Sequence, residues 1–184
     1  QTTMLRAFQA HPGIELAQIN HIGKERNVPN DANYGLQWQH QNIDSEDAWD
    51  ITTGGLTATG DTIVVAIMEN ADLPHPDLVD NAWYNFGEIP NNGIDDDGNG
   101  YVDDYRGWSP GTGADNVYGG PHGTEVAGMI GAVGDNNLQV VGANWHVKMM
   151  PVTYASTVES DVVAAYTYPL VMRRLYASSG GAKG

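Results

Sequence analysis

The segment Pro121-His122-Gly123-Thr124-Glu125-Val126-Ala127-Gly128-Met129-Ile130-Gly131-Ala132 carries more information about this chain than any other. It reads as a tight turn, a single histidine and a helix. Gly123 frees the backbone beside the histidine. Ala127, Gly128, Gly131 and Ala132 let the helix approach a neighbour closely. Thr124, Val126, Gly128 and Ile130 lower its intrinsic propensity. Packing must therefore supply its stability, and a buried helix is expected with His122 in its first turn. The positive end of the helix dipole favours a neutral ring there. That makes His122 a candidate general base. Taken alone, a His-Gly pair reads more readily as a helix cap than as a base, so the rest of the chain has to decide.

Working outward, Gly60-Asp61 launches Thr62-Ile63-Val64-Val65-Ala66-Ile67-Met68, a continuous apolar and mostly β-branched run. This is the pattern of a strand covered on both faces, as in a parallel sheet. Glu69 stands where that strand ends, and ligand and catalytic groups of open α/β sheets gather at the carboxyl ends of strands. On the other side of the histidine, Gly134-Asp135-Asn136-Asn137 breaks the chain, and Val147 to Val152 reads as a second buried strand. Ser156 to Glu159 has the form of a capping box. It opens a helix with Val162, Val163, Tyr166 and Leu170 on one side, a kink expected at Pro169, and Arg173 and Arg174 near its C-terminal end. Strand, helix, strand, helix is the order of an α/β fold with a parallel sheet. Two or three strands make that sheet incomplete, and the domain is expected to continue past residue 184.

Upstream, Met4, Leu5 and Phe8 mark a short helix ending at His11-Pro12-Gly13. Ile14 to Ile22 alternates as a strand. Val28-Pro29-Asn30-Asp31 reads as a linker, and Asp44 to Asp50 as a short helix stopping before Gly54-Gly55.

The chain has 184 residues, 8 basic against 23 acidic, and a formal net charge of −15. Nucleic acid and anionic membrane surfaces are therefore not expected as partners. There is no cysteine, hence no disulfide framework or thiolate metal site. No apolar run approaches the length of a membrane span. Part of the acidity is concentrated in Asn91 to Asp104. Asp95, Asp97 and Asn99 have the 1-3-5 spacing of a calcium loop, with Gly100 at position 6 and Asp103 at position 9. Arg106 at position 12 and the non-helical flanks exclude an EF-hand. Closely spaced oxygens still call for a hard cation, so calcium is expected at Asp95, Asp97, Asn99, Asp103 and Asp104. An acidic, cysteine-free, cation-prone chain fits a secreted or cell-surface protein.

Pro121 to Gly128 resembles the histidine motif of the subtilisin-like serine peptidases (the S8 family), with Glu125 where the family has a second histidine. Val64 to Glu69 followed by His75-Pro76-Asp77-Leu78 resembles the family's aspartate motif. Ile43 to Trp49 resembles the opening helix of the peptidase domain. Ile14 to Ile22 and then Pro29-Asn30-Asp31 resemble the end of the propeptide and the start of the mature enzyme. The resemblance implies the end of a propeptide-like segment at 1–28 and the N-terminal part of a peptidase domain at 29–184. The implied fold is a subtilisin-like doubly wound, mainly parallel sheet, incomplete in this chain.

It also implies a serine endopeptidase using an acid, a histidine and a serine in that chain order. His122 carries over as the base. Aligning along the strand puts Glu69 at the acid position and shortens the next turn by one residue; counting back from His75 puts Met68 there. The strand alignment is preferred, since a slip would reverse every side chain. Glu69 then replaces Asp, and Asn70-Ala71 replaces the usual Ser/Thr-Gly, so impaired activity is expected. None of the six serines lies in the family's nucleophile turn, so the chain alone is expected to be inactive. The implied partners are a protein or peptide substrate, or the rest of the same polypeptide. The alternative is a degenerate, calcium-stabilised binding or adhesion module. The family also implies a second calcium site between the loops of Asp77 and Asn136.

Overall fold

The computed structural model describes residues 2–17, 27–154, 156 and 158–182. In chain order it contains α1 (Thr2–Gln9), α2 (Trp38–Asn42), α3 (Ser45–Trp49), β1 (Val64–Ile67), α4 (Pro121–Gly131), β2 (Lys148–Pro151) and α5 (Glu159–Ser178). β1 and β2 pair in parallel, Val64 opposite Lys148 and Ile67 opposite Pro151. Parallel neighbours need a long crossover, and α4 lies within it. The fold class is the α/β arrangement expected from the order of the elements.

Alternation along the two strands sorts their side chains onto two faces. Ile67 and Met149 belong to one core, with Leu73, Leu78, Ala127, Ala132 and Val147. Met68 and Met150 belong to the other, with Trp83, Val152, Ala165, Tyr168 and Met172. α4 therefore covers one face and α5 the opposite face. A third cluster joins Trp49 to Val141 and Trp145. Beside it, buried His40 donates from Nε2 to Val141 O at 3.1 Å and accepts the Ser45 hydroxyl at Nδ1 at 2.9 Å.

Several expectations are corrected. β1 is shorter than the 62–68 run and is covered unevenly: Val64 is exposed, Val65 and Ala66 are half-buried, and Ile67 is buried. β2 is its only strand neighbour among the described residues. α4 is not buried all round. Gly123, Ala127 and Gly131 form one buried stripe, spaced four residues apart, while Glu125 and Met129 face solvent. Ala127 and Gly131 serve that stripe and Ala132 is buried just beyond it, whereas a Cβ on Gly128 would meet nothing within 4 Å. Residues 14–17 are irregular rather than a strand, and the remainder of the expected 14–22 strand lies outside the described residues. α5 is capped by Val158. Ser156 Oγ accepts from Val158 N and donates to Asp161, one turn into the helix, rather than forming the expected box with Glu159. The helix runs through Pro169 to Ser178, so Arg173 and Arg174 lie before its last turn. Arg173 packs over the Tyr176 ring instead.

Candidate functional site

β1 ends on the same face as α4, and the junction between them is made by a glycine. A Cβ on Gly123 would sit 2.1 Å from Asn70 O and 2.7 Å from Glu69 Cβ. No other residue permits that approach. Pro121 occupies the first helical position, where its missing N–H costs nothing, and this sets His122 in the first turn. The outcome is a short carboxylate–imidazole contact: His122 Nδ1 lies 3.3 Å from Glu69 Oε1. Met68, the other candidate for the acid position, packs into the opposite core. The His122 side chain is 74% exposed and that of Glu69 38%. The pair is thus open to an incoming substrate. With Nδ1 facing the carboxylate, Nε2 is the nitrogen available for proton transfer.

The turn after Glu69 is held on both sides. Ala71 N donates to Val117 O at 3.2 Å. Asp72 N donates to Thr124 Oγ1 at 2.9 Å, and that hydroxyl donates to Gly120 O at 2.7 Å. Further on, His75 Nδ1 accepts from Asp77 N. Asp77 is buried. Its carboxylate accepts from Asn136 Nδ2 at 2.8 Å and Val140 N at 3.0 Å, so the Asp77 and Asn136 loops do meet. Asp31, which no spacing rule singled out, joins them. Its Oδ2 accepts from Asp135 N, while Oδ1 is buried without a partner. Burial is the main cause holding the Asp31 carboxyl above its usual range, with a smaller contribution from the charge of Asp77.

The serines are engaged elsewhere: Ser45 with His40, Ser156 with Asp161, Ser178 with Leu175 and Ser179 with Tyr176. Ser109 is buried, and Ser160 lies on α5.

The acidic loop is built differently. Glu88, Asp95 and Asp97 each bring one carboxylate oxygen within 4.8 Å of the others, a group that could hold a metal ion. Glu88 lies outside the 95–104 run, and only its place in the fold recruits it. Its Oε1 accepts from Asp96 N and Asp97 N and its Oε2 from Asp103 N. Gly87 allows this closure, since a Cβ there would stand 2.8 Å from Asp97 Cβ. Asp95 accepts from the amides of Gly98, Asn99 and Gly100. Asp103 takes those of Asn92 and Gly93, and Asn99 Oδ1 takes that of Tyr101. Asp104 is fully buried and accepts from Asn85, Asn99 and the Tyr168 hydroxyl at 2.7 to 2.9 Å. Of the five residues expected as ligands, then, Asp95 and Asp97 converge, while Asn99, Asp103 and Asp104 organise the loop around them. Burial raises the carboxyls of Glu88 and Asp104 above their usual range. Buried carboxylates crowded together are a donor set that suits a hard cation.

A parallel sheet covered on both faces thus presents a carboxylate at a strand end, 3.3 Å from a histidine in the next helix. The profile of the Subtilase family matches residues 60–172, and the chain belongs to that family. It is 35% identical over 127 residues to the subtilisin-like protease 1 of Plasmodium berghei, a match covering 66% of this chain and 20% of that protein. It is 29% identical over 161 residues to an extracellular protease of Xanthomonas campestris, covering 82% of this chain and 27% of that protein. A halolysin-like extracellular serine protease of Natrialba magadii is 31% identical over 124 residues, covering 67% and 20%. The chain thus spans about a fifth to a quarter of the length of these relatives. Among the described residues, no helix is long and apolar enough to cross a membrane.

Proposed function

We propose that this chain is the N-terminal portion of a subtilisin-like serine endopeptidase, with residues 1–28 ending a propeptide-like segment and 29–184 beginning the peptidase domain. The observation that carries the reading is the 3.3 Å contact between His122 and Glu69 at the junction of β1 and α4. In the reaction, His122 Nε2 takes the hydroxyl proton of a serine supplied by the rest of the polypeptide. The serine oxygen then attacks the peptide carbonyl, and His122 returns the proton to the leaving amine. Glu69 holds the ring through Nδ1 and stabilises the imidazolium. Its side chain is one methylene longer than that of aspartate, and orientation errors near 1 Å slow such steps. The enzyme is therefore impaired relative to one with aspartate.

Calcium is the proposed cation of the acidic loop, held by Glu88, Asp95 and Asp97 within the frame of Asn99, Asp103 and Asp104. A second calcium is proposed at Asp77, Asn136 and Asp31, where the unpartnered Asp31 oxygen supports the assignment. Secretion or cell-surface display is proposed, supported by relatives named as extracellular proteases, with a protein or peptide as substrate. The test is labelling of the complete polypeptide with a serine-directed fluorophosphonate. Labelling that requires His122 is expected; its absence sinks the peptidase reading. The alternative, an inactive calcium-stabilised binding module, is favoured by Glu69-Asn70-Ala71 at the acid motif, and a polypeptide that folds but never labels supports it.

A further inference from the structure

We propose that Thr124 is the positioning residue of this site, its hydroxyl locking the turn after Glu69 to the first turn of α4 and so setting the Glu69–His122 separation. This rests on the reading of Glu69 and His122 as acid and base. The pair sits at the meeting of two separate backbone segments, and neither side chain is buried enough to be fixed by packing. Ala71 of the turn and Ala127 of α4 share one buried core, but such packing is not directional, so the register calls for a hydrogen bond. Gly123 allows the close approach but cannot enforce it. Ala71 N reaches Val117 O, which precedes the helix. Among the described residues, the Asp72 N bond to Thr124 Oγ1 is the one side-chain hydrogen bond that joins the 70–72 turn to α4 itself.

The chemistry of threonine suits the task. Its hydroxyl has one proton and two lone pairs. The proton goes to Gly120 O, four residues back, a common arrangement for threonine in helices. That bond, with the β-branch, restricts χ1 and aims a lone pair at Asp72 N. Thr124 is two residues from His122 and Asp72 three from Glu69, so the clamp closes just behind the pair. Valine keeps the shape and loses both bonds. Serine keeps both bonds.

The test uses the complete polypeptide, its histidine rings isotope-labelled, with the His122 ring nitrogens observed by NMR at fixed pH. Glu69→Gln calibrates the signal by removing the carboxylate charge. Thr124→Val is expected to move the His122 Nδ1 resonance in the same direction, with the other histidines unmoved, and Thr124→Ser is expected to restore it. If Glu69→Gln moves the resonance but Thr124→Val does not, the clamp is overturned while the pair stands. If Thr124→Val moves it and Thr124→Ser does not restore it, the hydroxyl is not responsible and the proposal also fails. If Glu69→Gln leaves the resonance in place, the acid–base reading fails and takes the clamp with it. Should Thr124→Val not fold, exchange of the Asp72 amide in the unaltered chain decides. Protection of about tenfold or more over an open amide supports the clamp, and exchange at the open rate overturns it.

Discussion

The β1–α4 corner and the acidic loop both gather carboxylates, yet they use them in opposite ways. At the corner, Glu69 is left partly exposed and faces one ring nitrogen. In the loop, Glu88, Asp97 and Asp104 are buried and surrounded by backbone amides, asparagines and a tyrosine. On the proposed reading, the corner has to stay accessible for proton transfer and is held by backbone approach from behind, while the loop has to be pre-shaped against its own repulsion before a cation enters, and its oxygens are tied down one by one.

The sharpest way to break the contrast is to remove charge at the corner. In the complete polypeptide, Glu69→Gln should lower the fluorophosphonate labelling rate by up to ~10⁴-fold while leaving thermal stability nearly unchanged, because the side chain is not buried. A stability loss comparable to that of a loop mutation would erase the distinction. Next in size, Gly123→Ala forces a Cβ into Asn70 O and should cost about 1–3 kcal/mol or more in urea unfolding, disturbing the His122 ring signals as well.

The loop is expected to respond to cation and pH. Saturation with calcium at about a hundred times its dissociation constant should add about 2.7 kcal/mol, and unchanged melting on chelation would remove the calcium proposal. The sign with pH follows from Glu88, Asp104 and Asp31, whose carboxyls are raised in the fold. Between their ordinary values, 4.5 for Glu and 3.8 for Asp, and the raised ones, the folded chain binds more protons than the unfolded one. In chelator, melting temperature should therefore rise as pH is lowered towards the ordinary carboxylate range. Calcium, which needs the charged carboxylates, should flatten or reverse that slope. The smallest effect expected is that of Tyr168→Phe, which removes one bond to buried Asp104 and should cost ~1.5 kcal/mol with no change at His122.

The corner was legible because its signals are local. The β-branched run of β1, the following carboxylate and the glycines after His122 each state their role within a few residues. Alternation alone does not say which of two cores each residue enters, so in sequence Met68 and Glu69 both fit the acid position, and the packing of Met68 against the α5 core separates them. The loop was legible only in part. Asp95 and Asp97 declare themselves by spacing, but Glu88, seven residues upstream, is turned towards them by the fold, as Asp31 is towards Asp77 at the other cluster, and nothing beside either in the chain marks them. The extent of β1 and the start of α5 depended on tertiary contacts. Ser156, for example, bonds Val158 and Asp161 instead of completing the box its spacing suggested.

The parallel pairing of β1 and β2 carries a consequence for how the chain finds its shape. Val64 meets Lys148 only after the acidic loop and α4, which lie between them, have been gathered in. The entropy of closing so long a loop is spent before the strand contacts reward it, which makes such pairings slow. Any cation that orders residues 88–104 shortens the effective loop. Its influence should therefore be felt in the rate of folding as much as in the final stability.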